Sequence, residues 1–234
     1  MKNLIAAAMV FVFVSCSIDK VIPVRGNGDL ISSERTVSSF KKINSAGNAK
    51  VNFYESQEYR VVVTTDSNLI EVVTTETRNN TLNIGTEIGN YSFTKLVVDV
   101  YCPVLTGVSI SGSGDFYGND KITVSAFESD VSGSGKIEGI IECEKFTGKI
   151  SGSGRIIVSG KGDDSSIDIA GSGNFSGNDF IMSTADIRIS GSGNAKVYVT
   201  DNLKVNVSGS GEISYSGSPT VNSNITGSGR VKKL

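Results

Sequence analysis

The sequence predicts an all-β protein, a parallel β-helix or β-solenoid with coils of 18–21 residues, and three observations predict it. Gly-Ser-Gly occurs seven times in the second half of the 234-residue chain, with first glycines at Gly112, Gly133, Gly152, Gly171, Gly191, Gly209 and Gly227, at steps of 21, 19, 19, 20, 18 and 18 residues. Two residues before each first glycine stands a β-branched residue: Ile110, Val131, Ile150, Ile169, Ile189, Val207 and Ile225. Two residues after each second glycine stands an apolar one: Phe116, Ile137, Ile156, Phe175, Ala195, Ile213 and Val231. Self-similarity at a near-fixed period marks an array of one supersecondary unit. β-Branched residues suit a half-buried strand, and a glycine inside a strand pattern marks a bend or a close backbone approach.

The unit therefore reads as strand, tight Gly-Ser-Gly bend, strand, looser turn. The looser turns are Gly118-Asn119-Asp120, the Gly-rich run from Gly160 to Asp164, Gly177-Asn178-Asp179 and Asp201-Asn202, residue types that tolerate positive φ. One unit cannot bury its own apolar face, whereas stacked units bury a continuous core. Seven coils at the strand spacing of about 4.8 Å make a rod of roughly 34 Å. An antiparallel sandwich or barrel also shows regular turns. Its strands need only alternating polarity, however, and not the same tripeptide at the same place in every unit.

The N-terminus reads as an export signal. Lys2 precedes an apolar run from Leu4 to Val14, too short to cross a bilayer and suited to a signal-peptide h-region. Phe13-Val14-Ser15-Cys16 then resembles a bacterial lipobox, with Phe where Leu is commonest. On that reading residues 1–15 are a lipoprotein signal peptide and Cys16 becomes the acylated N-terminus, anchored by its acyl chains. The alternative is an ordinary signal peptide with an incidental cysteine. Ser17 follows Cys16 where an inner-membrane retention signal would place Asp, and Ser17-Ile18-Asp19-Lys20 carries no acidic cluster for surface export. The expected location is the cell envelope, as an outer-membrane lipoprotein with either face open. An exported pair could form a disulfide, but Cys102 and Cys143 differ in local context and do not repeat, so two free, partly buried thiols are expected.

Residues 16–34 read as a lipidated N-terminus and tether, residues 35–105 as an atypical β-rich N-terminal part, and residues 106–234 as the repeat solenoid, with 35–234 forming one continuous domain. In the first half, Lys50–Tyr54, Tyr59–Val63, Val72–Thr77, Thr81–Ile84 and Leu96–Tyr101 carry strand signals, and at most one helical turn fits residues 68–72. Ile43-Asn44-Ser45-Ala46-Gly47-Asn48-Ala49-Lys50-Val51 matches Ile189–Val197 at most positions, a degenerate copy of the repeat. Terminal coils of a solenoid are atypical because they cap an otherwise open edge.

The order of these features is specific. A lipobox, Gly26-Asn27-Gly28-Asp29, Phe40 and Ile43, Ser45-Ala46-Gly47, Tyr59-Arg60-Val61, Asp66-Ser67-Asn68-Leu69-Ile70, Thr81-Leu82-Asn83-Ile84, Pro103 and Leu105, then repeated Ser-Gly-Ser-Gly units, follow one another. This resembles the putative auto-transporter adhesin, head GIN domain family of Bacteroidetes over roughly residues 35–225. The resemblance implies a single-chain right-handed β-helix on an exported, often lipid-anchored protein. It supplies no catalytic or ligand residues.

Chemistry is sparse. The chain has no His, which removes His-based triads and His–zinc sites, and a net charge of −2 argues against a nucleic-acid partner. The glycine motif is not a dinucleotide fingerprint: in Gly112-Ser113-Gly114-Asp115-Phe116-Tyr117-Gly118 the third glycine falls one residue late and no helix follows. A calcium-binding β-roll needs a recurring aspartate, but the residues after Gly-Ser-Gly are Asp115, Lys136, Arg155, Asn174, Asn194, Glu212 and Arg230. The carboxylates Asp163-Asp164, and Glu142 with Glu144, read as solvated turn and face residues. The motif serines, such as Ser172, read as small residues bonding to backbone at a tight corner, against a hydroxyl stripe for glycans. Tyr117, Tyr198 and Tyr215 recur without sharing a column. The expected function is a non-catalytic binding, adhesion-like or structural module without cofactor or metal. Its partners are the membrane, through the Cys16 anchor, and an envelope glycan or surface protein. The alternative is a carbohydrate-active enzyme, a polysaccharide lyase or hydrolase, on a β-helix.

Overall fold

The computed structural model describes residues 23–234; the signal peptide and Cys16 of the sequence reading lie outside them. The strands, in chain order, are β1 (Val24–Arg25), β2 (Leu30–Arg35), β3 (Lys42–Gly47), β4 (Lys50–Glu55), β5 (Arg60–Asp66), β6 (Val73–Arg78), β7 (Thr81–Thr86), β8 (Tyr91–Ser92), β9 (Leu96–Cys102) and β10 (Gly107–Gly112). They continue as β11 (Asp115–Gly118), β12 (Ile122–Gly133), β13 (Lys136–Gly152), β14 (Arg155–Gly171), β15 (Asn174–Gly191), β16 (Asn194–Gly209), β17 (Glu212–Gly217), β18 (Thr220–Gly227) and β19 (Arg230–Lys233). A single 3-10 turn, Ile70–Val72, falls where the sequence allowed a helical turn.

From β10 onward every pairing between coils is parallel, and the strands that enter the Gly-Ser-Gly corner are in register. Gly112 lies beside Gly133, and the same column continues through Gly152, Gly171, Gly191 and Gly209 to Gly227. The degenerate copy joins it, because β3 pairs with β10 and places Gly47 beside Gly112, while β4 pairs with β11. The result is a β-solenoid whose first coil comes from the N-terminal part.

Each corner is a backbone contact. The N–H of Ser172 donates to the carbonyl of Gly152 in the preceding coil at 2.8 Å, and the N–H of Asn174 donates to the carbonyl of Gly154 at 3.0 Å. The same pair of bonds runs through the neighbouring corners, so the ladder crosses the bend unbroken. The first glycines of the column have φ between 100° and 125°. At Gly171 (φ 116°) a Cβ would sit 2.6 Å from the Gly152 carbonyl oxygen, and at Gly173 a Cβ would sit 2.3 Å from Cγ2 of Ile150. The second glycine thus makes room for the β-branched residue of an earlier coil, which links two columns that the sequence showed separately.

The degenerate copy departs from the motif where this constraint lapses. β7 pairs with β3 only from Lys42 to Ser45, so no coil lies beneath Gly47. Ala49 stands where the other coils carry the second glycine, and Ser45 where they carry Ile or Val.

Coil length varies only at the looser turn. Asp115 pairs with Lys136, but Ile122 pairs with Ile141, so the extra residues of the earlier coil fall between Gly118 and Ile122. Likewise Gly177 pairs with Val197 and Ile181 with Tyr198, so residues 178–180 are extra. The tight corner holds register and the other turn absorbs insertions.

Inside the coil, Ile150 and Ile169 are in register and each is 2% exposed. Large and small residues complement one another across the rungs. Phe146 packs at 5.1 Å from Phe180 and 5.9 Å from Phe175, while Gly148, Gly162 and Gly177 leave the space their rings fill. Cys102 is buried and Cys143 half-buried, both free. Burial pushes the Cys102 thiol up to about 12 and the Cys143 thiol up to about 11.

The N-terminal end is closed by a change of strand direction. β7 and β9 continue the parallel stack below β3 and β4. β6 then pairs antiparallel with β7, β5 antiparallel with β9, and β2 antiparallel with β5. Residues 16–34 read as tether in the sequence, whereas Leu30–Arg35 is the strand β2, with Ser33 opposite Val63. Its mixed composition hid it: as a two-sided edge strand, β2 shows no clean alternation and Leu30 and Ile31 are exposed. The buried Asp66 carboxylate pins the segment before β2. It accepts from the N–H of Gly28 at 2.9 Å and from the N–H of Thr94 at 2.9 Å, and the Thr94 hydroxyl donates to it at 2.5 Å. These bonds, that of the Thr94 hydroxyl foremost, hold its carboxyl below the usual range.

Two substitutions test the packing. Replacing Ile169 with Asp buries an unpaired charge and should cost at least about 3 kcal/mol; a urea midpoint close to wild type would contradict the register. Gly171→Val should destabilise strongly, whereas Gly227→Val should lower the midpoint less, since its coil can fray without opening the stack. Equal losses at the two sites would contradict local stacking.

Candidate functional site

Strand alternation turns every second residue outward, so each outer sheet face is a lattice of columns at about 4.8 Å spacing. The face before the Gly-Ser-Gly corner carries small residues next to the bend (Ser151, Ala170, Ser190, Ser208) and a mixed column one step back (Asp130, Lys149, Asp168, Arg188, Asn206). Together they form an open trough of about 570 Å³. Arg188 is paired, lying 3.5 Å from Asp168 in the trough and 2.7 Å from Asp186 beside it, and Lys204 lies 3.1 Å from the same Asp186. Exposed pairs of this kind contribute little stability.

The face after the corner is aromatic near the N-terminal end. Tyr54 and Tyr101 stack with centroids 5.1 Å apart, and the Arg60 guanidinium lies 3.9 Å from the Tyr101 ring. Beside them Tyr117 sits between Lys50 at 4.7 Å and Lys136 at 4.2 Å. Asn52 donates to Asp99 at 2.7 Å in the same patch. Of the three tyrosines singled out in the sequence, only Tyr117 joins it. Tyr198 pairs with Ile181, while Tyr215 pairs with Val197, in the adjacent column. Tyr54, Tyr101 and Arg60 were missed because β4 and β9 come together through the cap, at a separation the repeat period does not encode.

The motif serines are exposed, and from Ser113 to Ser210 their backbone N–H groups make the corner bonds, a role taken at the last corner by the N–H of Gly229. Among the described residues their hydroxyls bond to no other protein group, so the sequence reading was right that backbone bonding governs the corner but assigned it to the wrong atom. Of the carboxylates considered as candidates, Asp164 accepts from the Thr184 hydroxyl at 2.6 Å and Glu142 pairs with Lys121 at 3.0 Å. Both sit on the exterior. The column after the corner runs Asp115, Lys136, Arg155, Asn174, Asn194, Glu212, Arg230, with cations between the acids. Among the described residues no group of three His, Cys, Asp or Glu side chains could hold a metal ion. No helix among them is long and apolar enough to cross a membrane.

The fold and its surfaces define a class: a Gly-Ser-Gly-cornered, mostly parallel β-solenoid with polar outer faces. Residues 39–219 match the family model described as "Putative auto-transporter adhesin, head GIN domain", and the chain belongs to that family. Among solved structures it is similar to a protein of Parabacteroides distasonis described as a putative lipid binding protein, at 27% identity and a TM-score of 0.76, covering 91% of this chain and 100% of that one. A putative adhesin of the same organism is 28% identical with a TM-score of 0.76 over 91% of this chain and 100% of its own. A putative adhesin of Bacteroides fragilis shares the fold at a TM-score of 0.84 and 21% identity, over 90% of this chain and 100% of its own. No curated protein matches the chain.

The last coil carries a pH-sensitive tie. Glu212 on β17 accepts from Lys232 at 2.8 Å and from Arg230, both on β19. Lys232 first and Arg230 second hold its carboxyl at about 2, against an ordinary value of 4.5. The folded value lies below the unfolded one, so the tie is complete above the ordinary value and is lost as pH falls toward the folded one. Protection of the Val231 amide, the slowing of its exchange relative to that of an unstructured amide at the same pH, should therefore fall on acidification from pH 5 to pH 2, and in Glu212→Gln it should be low already at pH 6. Protection at Val231 that ignores both changes would contradict the tie.

Proposed function

We propose that this chain is a non-catalytic adhesion-like or structural module of the Bacteroidetes cell envelope, an outer-membrane lipoprotein held by acyl chains on Cys16. The observation that carries the reading is the match of residues 39–219 to a family described as a putative auto-transporter adhesin, together with the likeness to a putative adhesin over all of that protein's length. The outer faces suit it, since paired charges, small hydroxyls and the Tyr54–Tyr101 patch offer hydrogen bonds and stacking to an envelope glycan or a surface protein. Side chains fill the coil interior, so a partner would lie against the outside. The solenoid is right-handed on this reading, following the strong preference of parallel crossovers. Residues 1–15 are the cleaved signal, and the continuous domain read from residue 35 onward takes in β1 and β2 before it.

Cys16→Ala tests the anchor. The variant should leave the membrane fraction and lose acyl labelling, while the wild-type chain keeps both. Unchanged fractionation would remove the anchored reading.

A further inference from the structure

The two ends of the solenoid are managed differently. The N-terminal end is covered by the antiparallel layer of β2, β5 and β6. At the other end β18 pairs with β16 on one side, and among the described residues no strand pairs with its outer edge. Every residue of β18 is exposed, including Val221 and Ile225, which continue the interior columns of Leu203 and Val207. Edge strands are ordinarily protected by charge, proline or bulges; here Pro219 precedes the strand, but β18 itself holds no proline and no charged residue occurs between Ser216 and Gly229.

The sequence of this edge is close to a palindrome about Ser223: Thr220-Val221-Asn222-Ser223-Asn224-Ile225-Thr226. In an antiparallel pair centred on Ser223, Ser223 faces its own copy, Val221 faces Ile225, Asn222 faces Asn224, and Thr220 faces Thr226. Directly opposite residues share a face of the sheet. The apolar pairs therefore fall on the interior side and the amide pairs on the outer side, on both chains at once. A shift of one residue would set Val221 against an outward residue and lose this match.

We propose that β18 is a homophilic docking edge, at which a second copy of this chain adds antiparallel about a two-fold axis through Ser223. Isologous pairing requires a self-complementary surface, and the palindrome supplies one. The edge is neutral, so pairing places no like charges opposite one another. The cationic β19 follows the C-terminal end of β18, so the two copies of β19 lie at opposite ends of the paired strands. Eight residues at about 3.3 Å span only about 26 Å, which makes a small interface, weak alone and strengthened where many copies are tethered to one surface. The N-terminal caps end up at opposite ends of the joined rod. On the anchored reading above, that geometry suits tip-to-tip contact between two facing surfaces. Dimerisation itself does not depend on the anchor.

The test uses full-length chain carrying single cysteines in β18, oxidised gently and read on a non-reducing gel, with the unsubstituted chain as background. Ser223→Cys should give a covalent dimer, because opposite residues in an antiparallel pair lie within disulfide reach. Asn222→Cys alone should stay at background, whereas a mixture of Asn222→Cys and Asn224→Cys chains should cross-link. Adding Val221→Lys and Ile225→Lys to Ser223→Cys should return the yield to background with an unchanged circular-dichroism spectrum. No Ser223→Cys dimer above background, or Asn222→Cys alone cross-linking as well as the mixture, would overturn the proposal.

Discussion

The structure depends on one contact, the approach of backbone to backbone at the Gly-Ser-Gly corner. The chain turns sharply there while every coil still donates its hydrogen bonds to the coil before. A Cβ on the first glycine would strike the carbonyl beneath it, and one on the second would strike a β-branched side chain. Because the corner admits one geometry, each coil enters the stack in the same register. The looser turn is then free to gain or lose residues, as it does near Gly118 and between Gly177 and Ile181.

That constraint explains what the interior tolerates. With register fixed, an interior position needs only to complement its neighbours above and below. Gly148 can therefore sit between coils that carry bulkier residues, because the rings of Phe146 and Phe175 fill its space. It also explains the outer faces, where away from the small residues beside the bend no single residue recurs and the side chains form a lattice whose composition can drift. Function in such a molecule lies on the faces and ends. The same logic accounts for the first coil, where Ala49 replaces a glycine once nothing is stacked beneath the corner.

Much of the architecture was legible in the sequence because the corner repeats it. The column of Ile110 to Val207 and the column of Phe116 to Ile213 are interior as read, and the degenerate copy at Ile43–Val51 occupies its predicted column. The alignment weakens only at the end, where Ile225 belongs to the column but has no coil above it. The cap was not legible. Its strands pair at separations that no period reveals, and β2 lacks the alternation of a half-buried strand, so it read as tether. The Tyr54–Tyr101–Arg60 patch was invisible for the same reason. The phenylalanine cluster of Phe146, Phe175 and Phe180 draws on three different columns, and its signal was the compensating glycines at Gly148, Gly162 and Gly177.

The central claim is that the serines of the motif are exposed in their side chains and locked in their main chains. Amide hydrogen exchange measured residue by residue tests this most directly. Ser134, Ser153, Ser172 and Ser192 should exchange as slowly as the interior strand amides of their coils, since each N–H is bonded to a glycine carbonyl in the preceding coil. Exchange at these serines as fast as at an exposed loop would mean that the corners are open turns, and that something other than backbone stacking holds the coils in register.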